Sequence, residues 1–276
     1  MNCYRHPDRE AFVRCQRCER FICPDCQVEA AVGFLCPEDA GQSAAQRLGN
    51  RVTNRAPRAV RAVIAGDKPF VSYSILAICV AVWGLQMVLG DSFTYQWLYA
   101  PVATATEPWR MVTSAFLHST TSVLHILFNM YTLWIFGREL EYVLGHRRFL
   151  ALYLISAFGG SVGVLWLGDP ATPVLGASGA LFGLMAAYFV VVRSLGGNTA
   201  QMTGLIAINL ISGFFLSGVA WQAHVGGLLT GGAVAWIYSQ TRNANSGPRR
   251  VLLLTLAILG LVALTVAGVL RLASGA

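Results

Sequence analysis

Charge is scarce in this chain. Only 12% of its 276 residues are charged, against 55% hydrophobic, and the mean hydropathy is +0.55. Soluble domains carry about twice that share of charge, so an ordinary soluble class is excluded. No apolar stretch falls in the first thirty residues, which argues against a cleavable signal peptide and leaves the first apolar segment to direct insertion. Internal repeats and low-complexity tracts are absent as well. His-Glu-x-x-His occurs nowhere, which argues against an intramembrane zinc protease.

What is plentiful is apolar run length. A bilayer core about 30 Å thick takes roughly 20 apolar residues per helical span. That ruler fits near 70–90, 120–137, 149–168, 177–193, 201–217, 223–240 and 251–270. The expected fold class is therefore all-α, a polytopic membrane protein with seven spans. Arg47, Arg51, Arg55, Arg58 and Arg61 precede the first span, and basic residues favour the cytoplasmic side. The N-terminus is thus expected inside, and alternation brings Arg138, Arg147, Arg148, Arg193, Arg242, Arg249 and Arg250 inside with it. The formal charge of +7 is mostly this topology signal; no nucleic-acid partner is expected from it.

Six of the seven cysteines lie in residues 1–39, as Cys3-x2-His6, Cys15-x2-Cys18, Cys23-x2-Cys26 and Cys36-x2-Asp39. Each pair can grip one ion from a tight turn, and eight ligands make two tetrahedral zinc sites. Cytoplasmic thiols stay reduced, which disfavours a disulfide cluster. Asp39 is the one carboxylate among the eight, and Glu38 or a water competes for its place. So short a module needs metal to fold. With no open coordination position, its role is structural or partner-binding, the candidate partner being a cytosolic protein. It resembles small cross-brace fingers of the B-box type. That resemblance implies Cys3, His6, Cys23 and Cys26 on one zinc and Cys15, Cys18, Cys36 and Asp39 on the other, while spacing alone leaves sequential pairing open.

Residues 41–69 read as a basic juxtamembrane linker, whose arginines also attract anionic lipid at about 1 kcal/mol each. Between spans 1 and 2 an outer region, 91–119, carries Phe93, Tyr95, Trp97, Tyr99, Trp109 and Phe116. Aromatic residues favour the membrane interface, so this region is expected to lie partly in it.

Polar residues inside spans are expensive and face a bundle interior or a wet cavity. His125 and Asn129 share a helical face near the start of span 2, one turn apart. Ser178 opens span 4 and His224 opens span 6. Spans 2, 4 and 6 all run from outside to inside, so these residues meet at one depth below the outer face. Gly179-x3-Gly183 and Gly227-x3-Gly231 are small-residue faces that let the two helices touch backbone to backbone. A Ser178–His224 hydrogen bond follows. A serine hydroxyl needs a base, and imidazole is the usual one. The developing oxyanion needs donors, for which His125, Asn129 and the backbone N–H of Ser178 are candidates. Spans 4 and 6 hold no carboxylate to complete a triad, so a dyad is expected. Gly176-Ala-Ser178-Gly-Ala180 lacks the second glycine of a nucleophile elbow and follows no strand pattern, against an α/β-hydrolase. His118 reads as satisfying loop backbone near the outer face, and His146 as a cytoplasmic residue beside Arg147.

In combination and in order, Trp109-Arg110, His125-x3-Asn129, Gly137-Arg-Glu-Leu-Glu141, Gly176-Ala-Ser178-Gly179 and Ala223-His224-x-Gly-Gly227-x3-Gly231 resemble the bacterial rhomboid intramembrane serine proteases over about residues 70–240. The resemblance implies a bundle of six core helices, with residues 241–276 adding a cytoplasmic loop and a seventh. It implies Ser178 as nucleophile, His224 as base, and His125 with Asn129 at the oxyanion hole. Trp109, Arg110, Glu139 and Glu141 match positions read as structural. Phe182 stands where many members have a tyrosine packed on the base histidine. The implied activity is endoproteolysis of single-span or other membrane proteins at the outer face of the plasma membrane, with no cofactor for catalysis. Residues 1–40 lie outside the shared core. A substrate helix must unwind before Ser178 can attack, because its peptide bonds are hidden by their own hydrogen bonds. Ser212-Gly213 and Leu216-Ser-Gly218 in span 5 suggest a gate. A pseudoprotease or membrane chaperone that only binds helices is the alternative, and it would be expected to lack Ser178 or His224. A transporter or channel would call for acidic residues or broken helices within the spans.

Overall fold

The computed structural model describes residues 1–16, 18–29, 33–40, 68–215 and 218–275. Residues 41–67 of the basic linker, and Leu216 and Ser217 of the expected gate, lie outside the described residues. The chain separates into two compact units, Met1–Ala65 and Gly66–Ala276.

In the first unit two short antiparallel hairpins pair β1 (Val13–Arg14) with β2 (Phe21–Ile22) and β3 (Val28–Glu29) with β4 (Phe34–Leu35), followed by a one-turn helix α1 (Pro37–Ala40). Its interior is made almost entirely of cysteines, with Ala11 and Ile22 the other fully buried apolar residues of the cluster. That is far too little apolar surface to hold some forty residues together by itself.

The second unit is helical. It runs α2 (Phe70–Leu89), α3 (Asp91–Trp97), α4 (Arg110–Thr113), α5 (Val123–Thr132), a π-helical turn (Leu133–Gly137), α6 (Arg138–Leu144), α7 (His146–Leu167), α8 (Ser178–Ser194), α9 (Ala200–Phe215), α10 (Trp221–Gln240) and α11 (Gly247–Ser274). This is the helical membrane bundle that the apolar runs predict. Three of these helices, α2, α7 and α11, are both long and apolar enough to cross a bilayer on their own composition, while α8 and α9 are apolar but shorter. α10 has the length, 20 residues, but carries Gln222, His224 and four glycines. The second expected span differs most from its sequence reading. It does not stop at Gly137: the helix widens through one π turn and continues to Leu144, where Gly145 ends it at φ +81°.

The reason for that continuation is Glu141. α2 begins at Phe70 with no side-chain cap of its own, and its first N–H groups have no intrahelical acceptor. Glu141 supplies one from the neighbouring span. Its Oε1 accepts the Val71 N–H at 2.8 Å, and its Oε2 accepts the Ser72 N–H at 2.7 Å and the Ser72 hydroxyl at 2.6 Å. His146 pairs with the same carboxylate through Nδ1. A buried carboxylate at the positive end of a helix dipole is well placed, and it ties the starts of α2 and α7 to the end of α6. Glu141→Ala is expected to lower stability by about 3 kcal/mol, because it orphans two buried N–H groups and a hydroxyl. A thermal midpoint in lipid unchanged by the substitution would contradict this.

α7, α8 and α10 pack at the centre, and glycine sets how closely. A Cβ on Gly227 would collide with the Gly179 carbonyl, and one on Gly231 with the Gly183 backbone. The two Gly-x3-Gly faces therefore lie against each other, which carries Ser178 on α8 towards His224 on α10. α11 docks against α7 and α10. Arg271 donates to the last carbonyls of α7, those of Leu165 (3.1 Å) and Trp166 (3.3 Å), and Trp166 Nε1 donates to Leu264.

Candidate active site and metal clusters

Ser178 is the first residue of α8, so its backbone N–H is one of those left without an intrahelical partner at the positive end of the helix. The segment leading into it is anchored twice. Val174 pairs with Tyr99 of the outer region through both backbone groups (3.0 and 2.7 Å), and the Gly176 N–H donates to the Ser114 carbonyl at 2.9 Å. The outer region is itself stapled by Arg110, which pairs with Glu107 at 2.6 Å and donates to the Tyr95 carbonyl at 2.7 Å.

His224 Nε2 lies 3.0 Å from Ser178 Oγ. Its other nitrogen, Nδ1, is buried with no partner among the described residues, where packing and no carboxylate sets the ring. The Phe182 ring stacks on it at 4.2 Å between centroids and 13° between planes. On the Nδ1 side the backbone of α9 closes in at Gly213, where an added Cβ would sit 3.5 Å from that nitrogen. Phe182→Ala is accordingly expected to slow any reaction that uses this pair by about tenfold, through a mispositioned imidazole, and Phe182→Tyr to leave it near wild type. Equal rates for the alanine variant and wild type would show that the stack is not needed.

His125 Nδ1 accepts the Ser119 N–H at 3.1 Å, so the neutral ring carries its proton on Nε2. That nitrogen faces Gly176. Gly176 has φ +126°, and a Cβ there would come within 2.9 Å of His125 Nε2 and 3.9 Å of Ser178 Oγ. Only glycine lets a donor imidazole approach the serine so closely. Asn129 is placed differently from His125. It is buried one turn further along α5, it donates from Nδ2 to the His125 carbonyl at 2.7 Å, and it does not line the cavity that holds Ser178.

Ser178, His224, His125 and the backbone of Gly176 line a cavity of about 750 Å³, with Ser114 and His118 deeper in its wall. The arrangement can deliver a nucleophilic oxygen with its base and, beside it, two N–H donors for an oxyanion. Two further polar residues that the sequence reading passed over shape this wall. Gln86 and Trp83, both in the C-terminal half of α2, hydrogen-bond the His118–Ser119 backbone. A glutamine in an otherwise apolar run was the available signal. His118 itself corrects its sequence reading. Gln86 serves that backbone, and the His118 ring nitrogens have no partner among the described residues. His146 is likewise no bystander, since it pairs with Glu141.

In the first unit the eight expected ligands form two groups, Cys3, His6, Cys23, Cys26 and Cys15, Cys18, Cys36, Asp39, with ligand atoms within 4.8 Å of one another in each. Around His6 Nδ1 the three thiols stand at 4.0, 3.5 and 3.4 Å. Asp39 Oδ2 lies 3.3 Å from Cys15 Sγ and 3.2 Å from Cys36 Sγ. Thiolates about 2.3 Å from a tetrahedral ion would stand about 3.8 Å apart, so both donor sets suit one ion each. The pairs alternate between the groups. Glu38 turns away to Arg20 at 2.7 Å, and Arg20 also donates to Cys18 Sγ at 3.1 Å. None of the cysteines forms a disulfide among the described residues.

Fold and site together define a polytopic helical membrane protein with a serine–histidine pair at a polar cavity. Residues 105–241 match the family model of the Rhomboid domain. The chain is 31% identical to rhomboid protease GluP of Bacillus subtilis over 214 residues, 71% of this chain and 41% of that relative. It is 38% identical to RHOMBOID-like protein 6, mitochondrial, of Arabidopsis thaliana over 49% of this chain and 45% of the relative. With rhomboid protease GlpG of Yersinia pestis it shares 34% identity over 63% of this chain and 64% of the relative. The matches thus span between 41% and 64% of these relatives' lengths. Residues 105–241 thus carry a Rhomboid domain, the one these relatives are named for.

Proposed function

We propose that the chain is an intramembrane serine endopeptidase that hydrolyses peptide bonds in or near the membrane helices of other proteins. The observation that carries this is the 3.0 Å contact between His224 Nε2 and Ser178 Oγ inside a cavity lined by further donors. His224 takes the Ser178 proton as Oγ attacks the scissile carbonyl, then gives it to the leaving amine. His125 Nε2–H and the Ser178 N–H receive the oxyanion, and Asn129, expected at the same oxyanion site, acts on it through α5 by holding the His125 carbonyl. The serine and its base need no metal for these steps. Residues 70–240 form the protease core, and residues 241–276 a cytoplasmic loop and the seventh helix. The N-terminus lies in the cytoplasm, and the Ser178 end of α8 lies near the outer face of the plasma membrane, where water reaches it. α9 is the side from which a substrate helix enters, at Ser212 and Gly213.

Residues 1–40 form a cytoplasmic B-box-like module holding two structural zinc ions, one on Cys3, His6, Cys23 and Cys26 and one on Cys15, Cys18, Cys36 and Asp39. Its occupant surface serves a cytosolic protein, and residues 41–69 tether it to the membrane. The protease assignment is tested with purified chain in lipid and a single-span reporter, comparing wild type with Ser178→Ala and His224→Ala. A folded wild type that binds the reporter and neither cuts it nor reacts with a fluorophosphonate would favour a helix-binding pseudoprotease instead.

A further inference from the structure

Gln86 lies buried in the last turn of α2, within a largely apolar run. An amide at such a place is costly unless its groups are bonded. All of them are. Oε1 accepts the His118 N–H at 2.9 Å, and the two hydrogens of Nε2 go to the His118 carbonyl at 3.0 Å and to Thr94 Oγ1 at 3.2 Å. Because one end meets a backbone donor and the other a backbone acceptor, the amide has a single orientation.

The bond to the His118 carbonyl reaches the Ser178 site through one peptide. That carbonyl and the Ser119 N–H belong to the same planar unit and point to opposite sides of it. The Ser119 N–H donates to His125 Nδ1 at 3.1 Å. From Gln86 to the imidazole there are thus two hydrogen bonds and a single peptide group between them. Bonds linked in this way polarise one another, so the first strengthens the second. Trp83 Nε1 holds the following carbonyl, that of Ser119, at 3.0 Å. Residues 117–122 belong to no helix or strand, so side chains of α2 do what backbone pairing does elsewhere. Were the 118–119 peptide to turn over, its carbonyl would stand where its N–H stood. Nδ1 would then have to carry the ring proton. Nε2, which faces Gly176 beside Ser178, would become an acceptor with nothing to give an oxyanion.

We infer that Gln86 is a positioning residue for the oxyanion: by holding the 118–119 peptide it keeps the proton of His125 on Nε2, while Trp83 clamps the same segment. The inference rests on the protease reading above, which makes His125 an oxyanion donor and gives α2 no part in the reaction. Gln86 touches no reacting atom. Its effect passes wholly through His125, and an oxyanion forms only in the transition state, so its loss falls on kcat and leaves KM unchanged.

The test compares four full-length chains in lipid vesicles with a single-span reporter: wild type, Gln86→Met, His125→Ala and the double variant. Methionine keeps the length of glutamine without its donor or acceptor. Gln86→Met is expected to lower kcat about tenfold with KM within about twofold, and His125→Ala to lower kcat about a hundredfold. The double variant is expected to be no slower than His125→Ala, since an amide that acts only through an imidazole has nothing left to act on. A purely structural glutamine gives instead a loss that is repeated on the His125→Ala background, and that result would overturn the inference. So would a wild-type kcat in Gln86→Met. Trp83→Phe is the milder change at the other clamp and serves if Gln86→Met does not fold. It is expected to lower kcat about threefold, again with no further loss beside His125→Ala; a loss that multiplies there counts against the inference. Imidazole nitrogen NMR of the same preparations reads the cause without substrate. His125 is expected as the neutral Nε2–H form in wild type and with a share of the Nδ1–H form in Gln86→Met. A wild-type ring protonated on Nδ1 overturns the inference by itself. A wild type that neither cuts the reporter nor reacts with a fluorophosphonate sinks the protease reading, a different result that leaves the tautomer measurement standing.

Discussion

Ser178→Ala is expected to reduce cleavage of a single-span reporter in lipid by about 10⁴-fold, to background, and His224→Ala by a similar factor. The double variant is expected to be no slower than either single one. On the proposed mechanism the two residues act as one unit, a hydroxyl 3.0 Å from the nitrogen that would deprotonate it, so removing either half removes the whole effect. Losses that multiplied in the double variant would mean that serine and histidine act independently. The absence of a partner on His224 Nδ1 sharpens the expectation. In a triad the carboxylate holds the base, and its removal is a third large loss. Here the Phe182 stack and the α9 backbone at Gly213 hold it. No substitution of an acidic residue should therefore approach the cost of losing Ser178 or His224.

Stripping metal from residues 1–40 is expected to unfold that unit outright. Apart from its cysteines the cluster at its centre fully buries only Ala11 and Ile22, whereas a structural zinc contributes on the order of 10 kcal/mol of folding free energy. The purified chain is expected to hold two zinc ions, Asp39→Ala one tightly bound ion, and Cys23→Ser to lose the other. Chelation should expose the segment around Cys15 to Cys36 to protease. A unit that remained protease-resistant in chelator would show that its hairpins fold without metal.

Apart from the second span, the apolar runs located the helices to within a few residues, because each crossing needs a long enough apolar run whatever its full helix length. The meeting of Ser178 with His224 was legible for a related reason. Alternating span direction sets depth, and Gly-x3-Gly faces set approach, so two residues far apart in sequence could be assigned to one level. What remained hidden depends on side chains reaching between helices. Glu141 looks in sequence like a loop carboxylate after span 2, and only the packed bundle shows it capping the N-terminus of α2. The π turn at Leu133–Gly137 leaves no mark in composition. Gln86 was visible as a polar residue in an apolar run, but its partner, the backbone of His118, has no sequence signature because any residue could supply it. In the cysteine module the spacing picked out the eight residues that cluster and left their pairing open, since chelating turns look alike whichever turn they would share an ion with.

The most direct test of the serine–histidine assignment is to react the purified chain in lipid with a fluorophosphonate and map the adduct by peptide mass spectrometry. The account predicts a single adduct on Ser178, formed at a measurable rate in wild type and lost in His224→Ala. An adduct on another serine, or equal labelling of Ser178 with and without His224, would contradict it.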